Sequence, residues 1–170
     1  MKALGFSLFL LAGWGWGWSM AAFFRRRPKE LWAWSHALSL MASEVEHAAL
    51  PLPRVWGRLA REGEGLPAKV SRRALSLWEG GLRDPGDAWR RALGELGEES
   101  SLFPDDQELL LRLSPLLGRT GREDQVRHLR WTAAQLEARA RQVEGVSQEK
   151  ARLVLYLSFS GAAAVALLLL

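Results

Sequence analysis

The stretch LWAWSHALSLMASEVEHA, residues 31–48, decides the fold because its apolar residues recur at the spacing of one helix face. The intervals between successive apolar positions alternate between three and four residues. These positions are Leu31, Trp34, Leu38, Met41, Val45 and Ala48. Such a seam predicts a long amphipathic helix that buries one face against other helices. The prolines of Pro51–Pro53 predict its end, because proline disrupts helix interiors.

A second seam lies in the stretch VRHLRWTAAQLEARARQV, residues 126–143, and it has the same alternating interval. Its members are Val126, Leu129, Ala133, Leu136, Ala140 and Val143. The residues of Thr120–Glu123 have capping-box spacing and predict the start of this helix. We expect the helix to continue past Gly145 into the apolar C-terminal segment and to lie antiparallel to the first seamed helix.

Four shorter helices are predicted between the two seams. They are Arg54–Glu62, then Pro67–Glu79 closed by Gly80 and Gly81, then a helix from Asp87 capped by Asp84 or Asp87, then a helix from Asp105 to Gly118 with a kink at Ser114–Pro115. No convincing strand alternation appears between residues 25 and 152. The sequence therefore predicts an all-α bundle of about six helices.

Two uncharged segments, Ala3–Phe24 and Leu153–Leu170, flank the bundle. A helix needs about 20 apolar residues to cross a bilayer, with a lower limit near 17. We therefore expect transmembrane helices at 1–24 and 153–170 and a bundle domain at 25–152. A cleaved signal peptide is the alternative for the first segment, but only Lys2 precedes its apolar part and the basic run RRRPK follows it.

The first segment contains GWGWGW at residues 13–18, which has the two-residue period of a strand. A single strand in lipid would leave its backbone groups unpaired, so the membrane favours a helix. Both segments then carry small residues at four-residue intervals, Gly13, Gly17 and Ala21 in the first and Ser158, Ala162 and Ala166 in the second. These rows predict close packing between the two helices or on partner helices. The alternative is that small residues are simply frequent in membrane helices.

Basic residues adjoin both segments on the bundle side, as RRRPK after the first and as Lys150 and Arg152 before the second. The positive-inside rule then predicts a cytoplasmic bundle with both termini outside. All acidic residues and every basic residue except Lys2 lie between residues 25 and 152, and the net charge of the chain is only +4. This balance does not indicate a nucleic-acid-binding surface, and the arginines at 25–27 fit a topology signal or a contact with anionic lipid.

No catalytic, cofactor or metal site is predicted. The chain has no cysteine, and its three histidines, His36, His47 and His128, form no metal-binding pattern. No phosphate-binding glycine loop or nucleophile elbow occurs. The acidic pairs Asp105–Asp106 and Glu123–Asp124 stand at predicted helix starts, where they favour the helix dipole. Trp32 and Trp131 fall beside the seams, so they are candidates for a protein interface, with a place in the core as the alternative.

Four pieces of the chain occur in a recognisable order: EVEHAALPLP, DAWRRAL, LLGRTGREDQVRHL and SQEKARLVLYLSFSG. Together with Pro28 and its basic neighbours, this order resembles the stage III sporulation protein AB family of endospore-forming bacteria along essentially the whole chain. The most specific element is Leu117 and Gly118 followed by Gln125 and His128. The glycine–tryptophan alternation is a departure from the family pattern.

The resemblance implies a non-enzymatic membrane scaffold of the channel-like apparatus that joins the mother cell to the engulfed forespore, with its bundle in the mother-cell cytoplasm. The soluble domain would be similar to the helical domain of the inner-membrane platform protein of type II secretion and type IV pilus machines. Partners would be other membrane subunits of the channel, with a secretion-type ATPase as a further candidate, and membrane lipid. No nucleic acid, small-molecule substrate or cofactor is implied.

The resemblance also implies scaffold roles for Leu117, Gly118, Gln125 and His128 and for Pro51–Pro53, although these residues could equally serve only to shape their turns. Two other functions stay open. The chain could be a platform or accessory subunit of a secretion or pilus-type machine outside sporulation, which only its partners would distinguish. It could also be a membrane enzyme or its regulatory subunit, which a bound metal or nucleotide would indicate.

Overall fold

The computed structural model describes the backbone of residues 26–48 and 50–168 and the side-chain surroundings of residues 26–48, 50–145 and 156. Six α-helices lie in these residues, and we number them α1 to α6. They are 26–47 (α1), Leu52–Glu62 (α2), Gly65–Glu79 (α3), Pro85–Leu96 (α4), Pro104–Leu111 (α5) and Arg122–Leu168 (α6), with a short 3-10 helix at Gly97–Glu99. No strand occurs in these residues, so the all-α prediction and the number of helices are confirmed.

The two seams form the central part of the buried core. Fully or nearly fully buried seam residues are Leu31, Trp34, Leu38, Met41 and Val45 on α1 and Val126, Leu129, Ala133, Leu136 and Ala140 on α6. The predicted end members differ, because Ala48 is exposed and Val143 is half-buried. Ala48 lies beyond the last helical residue of α1, so the helical period no longer directs its side chain into the core.

Three tryptophans from different helices meet in the core. The ring centroids of Trp34 and Trp89 lie 5.8 Å apart in an edge-on arrangement, and those of Trp56 and Trp89 lie 6.3 Å apart and stacked. Trp89 Nε1 donates a hydrogen bond of 3.1 Å to the carbonyl oxygen of Leu110. Because aromatic pairs bury large areas in defined geometries, this cluster joins α1, α2, α4 and α5. Beside it, α2 packs against α3 and α3 packs against α4.

Several predicted helix boundaries are corrected by the structure. Helix α2 begins at Leu52 rather than Arg54, because proline is tolerated in the first turn of a helix. Helix α3 also begins two residues early, at Gly65, and ends at Glu79 as predicted. Helix α5 ends at Leu111 rather than at Gly118, and residues 112–119 form turns. The residue before a proline disfavours helical backbone, and this restriction at Ser114 accounts for the early end.

The predicted capping box at Thr120–Glu123 is wrong. Helix α6 begins at Arg122, one residue later than that box requires. The hydroxyl of Thr120 instead donates a hydrogen bond of 2.9 Å to the carbonyl oxygen of Leu116. The choice between caps for α4 falls on Asp84, whose Oδ1 accepts a hydrogen bond of 2.9 Å from the backbone N–H of Asp87.

The chain divides into two compact units, Lys29–Ala140 and a second unit formed by Met1–Pro28 with Arg141–Leu170. Among the residues that the structure describes, no helix has the length and apolarity that a membrane crossing needs. The predicted transmembrane helix at 1–24, with Gly13, Gly17 and Ala21, lies outside the described residues. Ser158, Ala162 and Ala166 lie on the helical backbone of α6, and their side-chain surroundings are also outside the description.

Candidate functional site: a proline-lined groove

A groove of about 590 Å³ opens where the turn after α1 meets the turn before α6. Its lining residues are Val45, Leu50, Pro51, Leu52, Pro53, Arg54, Trp78, Pro85, Gly118, Thr120, Arg122 and Gln125. We call this set the proline groove. It brings together Pro51–Pro53, Gly118 and Gln125, which the sequence singled out from two distant stretches. Most of its surface is apolar, as is usual for a site that holds another molecule.

The groove also contains residues that the sequence did not single out. Trp78 comes from the last turn of α3, Pro85 from the first turn of α4, and Arg54 from the first turn of α2. Only the tertiary fold brings these helix ends together, so no local pattern could have predicted the set. A weak signal for Arg54 is its position directly after Pro53, at the start of a helix.

The first turn of α2 faces the groove without a cap of its own. Its N-cap residue is Pro51, which makes no side-chain hydrogen bond, and the first turn contains no acidic residue. Arg54 stands in that turn and is exposed. Its backbone N–H donates a hydrogen bond of 2.9 Å to the carbonyl oxygen of Pro51, and its side chain makes no hydrogen bond or ion pair among the described residues. Because the N-terminus of a helix carries a partial positive charge, Arg54 and the helix dipole add to each other here.

Arg122, at the start of α6, also lines the groove and binds the end of α1. Its Nε donates a hydrogen bond of 2.8 Å to the carbonyl oxygen of Val45, and its Nη2 donates to the carbonyl oxygen of Glu46. Carbonyl groups in the last turn of a helix have no partner within the helix, so Arg122 caps the end of α1. The first residue of α6 thereby holds the end of α1 in place beside the groove.

Gln125 is buried in the groove with an unpaired donor. Its side chain is 8% exposed, and no acceptor among the described residues lies within hydrogen-bonding reach of Nε2. An unpaired buried amide costs about 1–3 kcal/mol, whereas an apolar side chain of the same size would avoid that cost. No contact among the described residues therefore accounts for the Nε2 donor of Gln125.

Gly118 contributes backbone shape to the groove. Its φ angle is +76°, in the left-handed region that favours glycine. A Cβ atom built at this position would lie 2.7 Å from Cγ of Pro85 and 3.1 Å from its Cδ. The close approach of Gly118 to Pro85 brings the turn before α6 against the start of α4.

Asp84 fixes the same junction by electrostatics. Its carboxylate accepts hydrogen bonds of 2.9 Å from Nε and 2.7 Å from Nη2 of Arg119, in addition to the bond from the N–H of Asp87. The backbone N–H of Asp87 first, and then the Arg119 guanidinium, hold the pKa of Asp84 below its usual value. The junction therefore favours an ionised Asp84.

The remaining predicted residues lie away from the groove. Leu117 is buried in the core, and His128 is half-buried on α6 and is not among the groove residues. Trp131 is 53% exposed on α6. Trp32 is half-buried, contacts the ring of His36 at a centroid distance of 5.6 Å, and lines a separate cavity of about 450 Å³. The interface role of the two tryptophans stays a prediction.

The acidic pair Asp105–Asp106 has a structural place in the bundle. Asp106 is fully buried, its Oδ2 accepts a hydrogen bond of 3.2 Å from the backbone N–H of Phe103, and its Oδ1 accepts one of 2.7 Å from Arg139 Nη1. The carboxylate thus caps α5 and ties it to α6. In the described part of the chain, no group of three or more histidine or acidic side chains could hold a metal ion.

The fold and the groove define a class of protein: a small all-α bundle with an apolar groove formed by adjoining turns. The family model described as stage III sporulation protein AB matches residues 2–170, which is nearly the whole chain. The chain therefore belongs to the stage III sporulation protein AB family.

A solved structure of stage III sporulation protein AB (SpoIIIAB) is similar to the chain, with a TM-score of 0.66 and 20% sequence identity. The similarity covers 72% of this chain and 97% of that one. At this level of identity, the likeness shows the fold alone. No curated protein gives a significant match to the chain.

Proposed function

We propose that the chain is a non-enzymatic membrane scaffold of the channel-like apparatus between mother cell and forespore. Family membership across residues 2–170 gives it a role in sporulation, and this observation carries the proposal. The proline groove supports a scaffold function because it offers an apolar surface with unpaired donors, which suits the docking of another protein.

Attachment to the mother-cell membrane is part of the proposal. The uncharged segments 3–24 and 153–170 would anchor the chain, and the basic residues that adjoin them on the bundle side would keep the bundle in the cytoplasm. Partners would then be other membrane subunits of the channel, with a secretion-type ATPase as a candidate on the cytoplasmic side.

The orientation can be tested by introducing single cysteines, because the chain has none of its own. Ser39→Cys and Ser76→Cys place a thiol on exposed bundle positions, and Lys2→Cys places one before the first segment. With a membrane-impermeant maleimide, we expect Lys2→Cys to react in intact cells and the two bundle variants to react only after permeabilisation. Labelling of the bundle variants in intact cells would contradict the proposed orientation.

The function itself is tested by crosslinking in native membranes, followed by purification of a tagged chain and mass spectrometry. We expect other stage III sporulation proteins in sporulating cells and not in growing cells. Recovery of pilin-like subunits and a secretion-type ATPase from growing cells would instead support a platform role outside sporulation. Recovery of a stably bound metal or nucleotide would argue for an enzyme or its regulatory subunit.

A further inference from the structure

We infer that the proline groove binds an acidic, partly apolar peptide segment of a partner protein. That the partner is a protein rests on the proposed function, and the acidic and apolar character of its peptide rests on the groove alone. Three separate observations meet there: an arginine side chain without a partner, a helix N-terminus without a side-chain cap, and a buried amide whose Nε2 has no partner.

Charge complementarity identifies the charged part of the partner. The described lining of the groove contains two arginines and no carboxylate. Arg122 is engaged by backbone carbonyl groups, so Arg54 is the guanidinium available to an incoming group. A carboxylate next to Arg54 would also face the first turn of α2, where the helix dipole stabilises negative charge.

The buried amide identifies a second, neutral contact. Nε2 of Gln125 is a buried donor without charge, so the amide must rotate toward the groove before it can donate to a main-chain carbonyl group of the peptide. The lining also contains Leu50, Leu52 and Trp78, which would cover an apolar side chain. A peptide supplies a carboxylate, an apolar side chain and a backbone carbonyl at adjacent positions, so it satisfies all three features together.

A substitution at Gln125 separates binding from folding. Gln125→Leu keeps the volume of the side chain and removes the unpaired donor, so the bundle should be at least as stable as before. The same substitution should weaken peptide binding about fivefold to tenfold, because one buried hydrogen bond is lost. A residue that only supported the fold would show the opposite effect on stability.

The experiment selects ligands from a library of random peptides displayed on phage, with the full chain in detergent micelles as target. We expect the enriched peptides to combine acidic and apolar residues. The best of them, synthesised with a fluorophore, is then titrated by anisotropy against wild type, Gln125→Leu, Arg54→Gln and Arg61→Gln. Arg61 is the matched control, since it is an exposed arginine of α2 outside the groove.

Arg54→Gln should weaken binding about threefold to tenfold and reduce its dependence on salt, whereas Arg61→Gln should match wild type. Four results would overturn the inference: no enriched peptide, enriched peptides without acidic residues, equal binding by all variants, or a Gln125→Leu chain that loses stability. Displacement of the peptide by phosphatidylglycerol vesicles, in wild type and not in Arg54→Gln, would assign the groove to lipid. Self-association lost in Arg54→Gln would assign it to a second copy.

The two proposals can fail separately. Peptide binding that depends on Gln125, together with no sporulation proteins in the crosslinked sample, would contradict the proposed function and leave the groove assignment standing. Recovery of those proteins by both wild type and Gln125→Leu, without peptide binding, would contradict the groove assignment and leave the proposed function standing.

Discussion

Replacement of Gly118 by alanine tests whether the close approach of the turn at residues 112–119 to α4 stabilises the bundle. The substitution adds one methyl group at a backbone φ of +76°. That methyl would lie 2.7 Å from Cγ of Pro85, well inside van der Waals contact. The proline ring is rigid, so the turn or the start of α4 must move.

Two costs add at this position. Left-handed backbone costs a residue other than glycine roughly 1–2 kcal/mol. Overpacking against a fixed neighbour costs roughly 1–3 kcal/mol more, and alanine returns about 0.4–1 kcal/mol by restricting the unfolded chain. We therefore expect Gly118→Ala to lower the free energy of unfolding by about 2–4 kcal/mol. This is a large part of the 5–15 kcal/mol typical of a whole domain.

Two other glycines separate the contributions. Gly65 has a φ of +67°, and an added Cβ would lie 3.8 Å from Cδ of Pro67, an ordinary contact, so Gly65→Ala contains the left-handed backbone strain without the clash. Gly94 lies in α4 with open space around it and without a positive φ, so Gly94→Ala contains neither. We expect Gly65→Ala to lose about 0.5–1 kcal/mol and Gly94→Ala to gain about 0.5–1 kcal/mol.

Urea unfolding of the fragment 25–152, followed by far-ultraviolet circular dichroism, measures all three variants. We expect wild-type fragment to be monomeric and helical, and Gly118→Ala to lower its urea midpoint by about 1–2 M with an unchanged slope. If Gly118→Ala and Gly65→Ala destabilise the fragment equally, the contact with Pro85 does not constrain the turn and the reasoning is refuted.

Three further predictions concern single side chains. Because the folded-state pKa of Asp84 lies below its unfolded value, its ionised form stabilises the fold fully above about pH 4 and loses this effect as the pH falls through the folded-state pKa. Urea midpoints of wild type and Asp84→Asn should therefore differ at neutral pH and converge in acid. A difference between the midpoints that does not change with pH would contradict this prediction. Arg139→Ala leaves the buried Asp106 without its guanidinium and should lower the free energy of unfolding by about 3 kcal/mol. Arg112→Ala removes an exposed ion pair and should lower it by less than about 0.5 kcal/mol. Equal losses would show that the burial of Asp106 does not make its ion pair more important. Trp131→Ala should change the free energy of unfolding by less than about 1 kcal/mol, because that ring is half exposed. The same substitution should reduce the recovery of crosslinked partners. Unchanged recovery would show that Trp131 is not part of an interface.

The parts of the fold that follow from local spacing could be predicted from the sequence. The seam of α1 depends on the helical period alone, and its first five members are buried as expected. Helix ends were less predictable because competing local signals act there. The predicted start at Arg54 leaves out Leu52 and Pro53, although proline fits the first turn of a helix, and Ser114–Pro115 ends α5 rather than bending it.

The groove could not be predicted as a site because its residues meet only through tertiary packing. Leu117, Gly118, Gln125 and His128 stand together in the sequence, yet the structure gives them three different environments, because only Gly118 and Gln125 share the groove. Leu117 enters the core, and His128 lies half-buried on α6. The spacing of these residues along the chain therefore predicts the turn before α6. It does not predict the groove, because the groove also needs residues from α2, α3 and α4.

Gly118 and Gln125 both line the groove, and physical arguments separate their roles. The backbone angle at Gly118 and its approach to Pro85 account for glycine there without any partner. Gln125 has no such account, since its buried donor lowers the stability of the bundle that contains it. Local and global requirements usually agree in a folded protein, and the places where they conflict are expected at functional sites. Gly118 is thus explained by the turn, whereas no contact among the described residues explains the Nε2 donor of Gln125, and the proposed peptide would supply its acceptor.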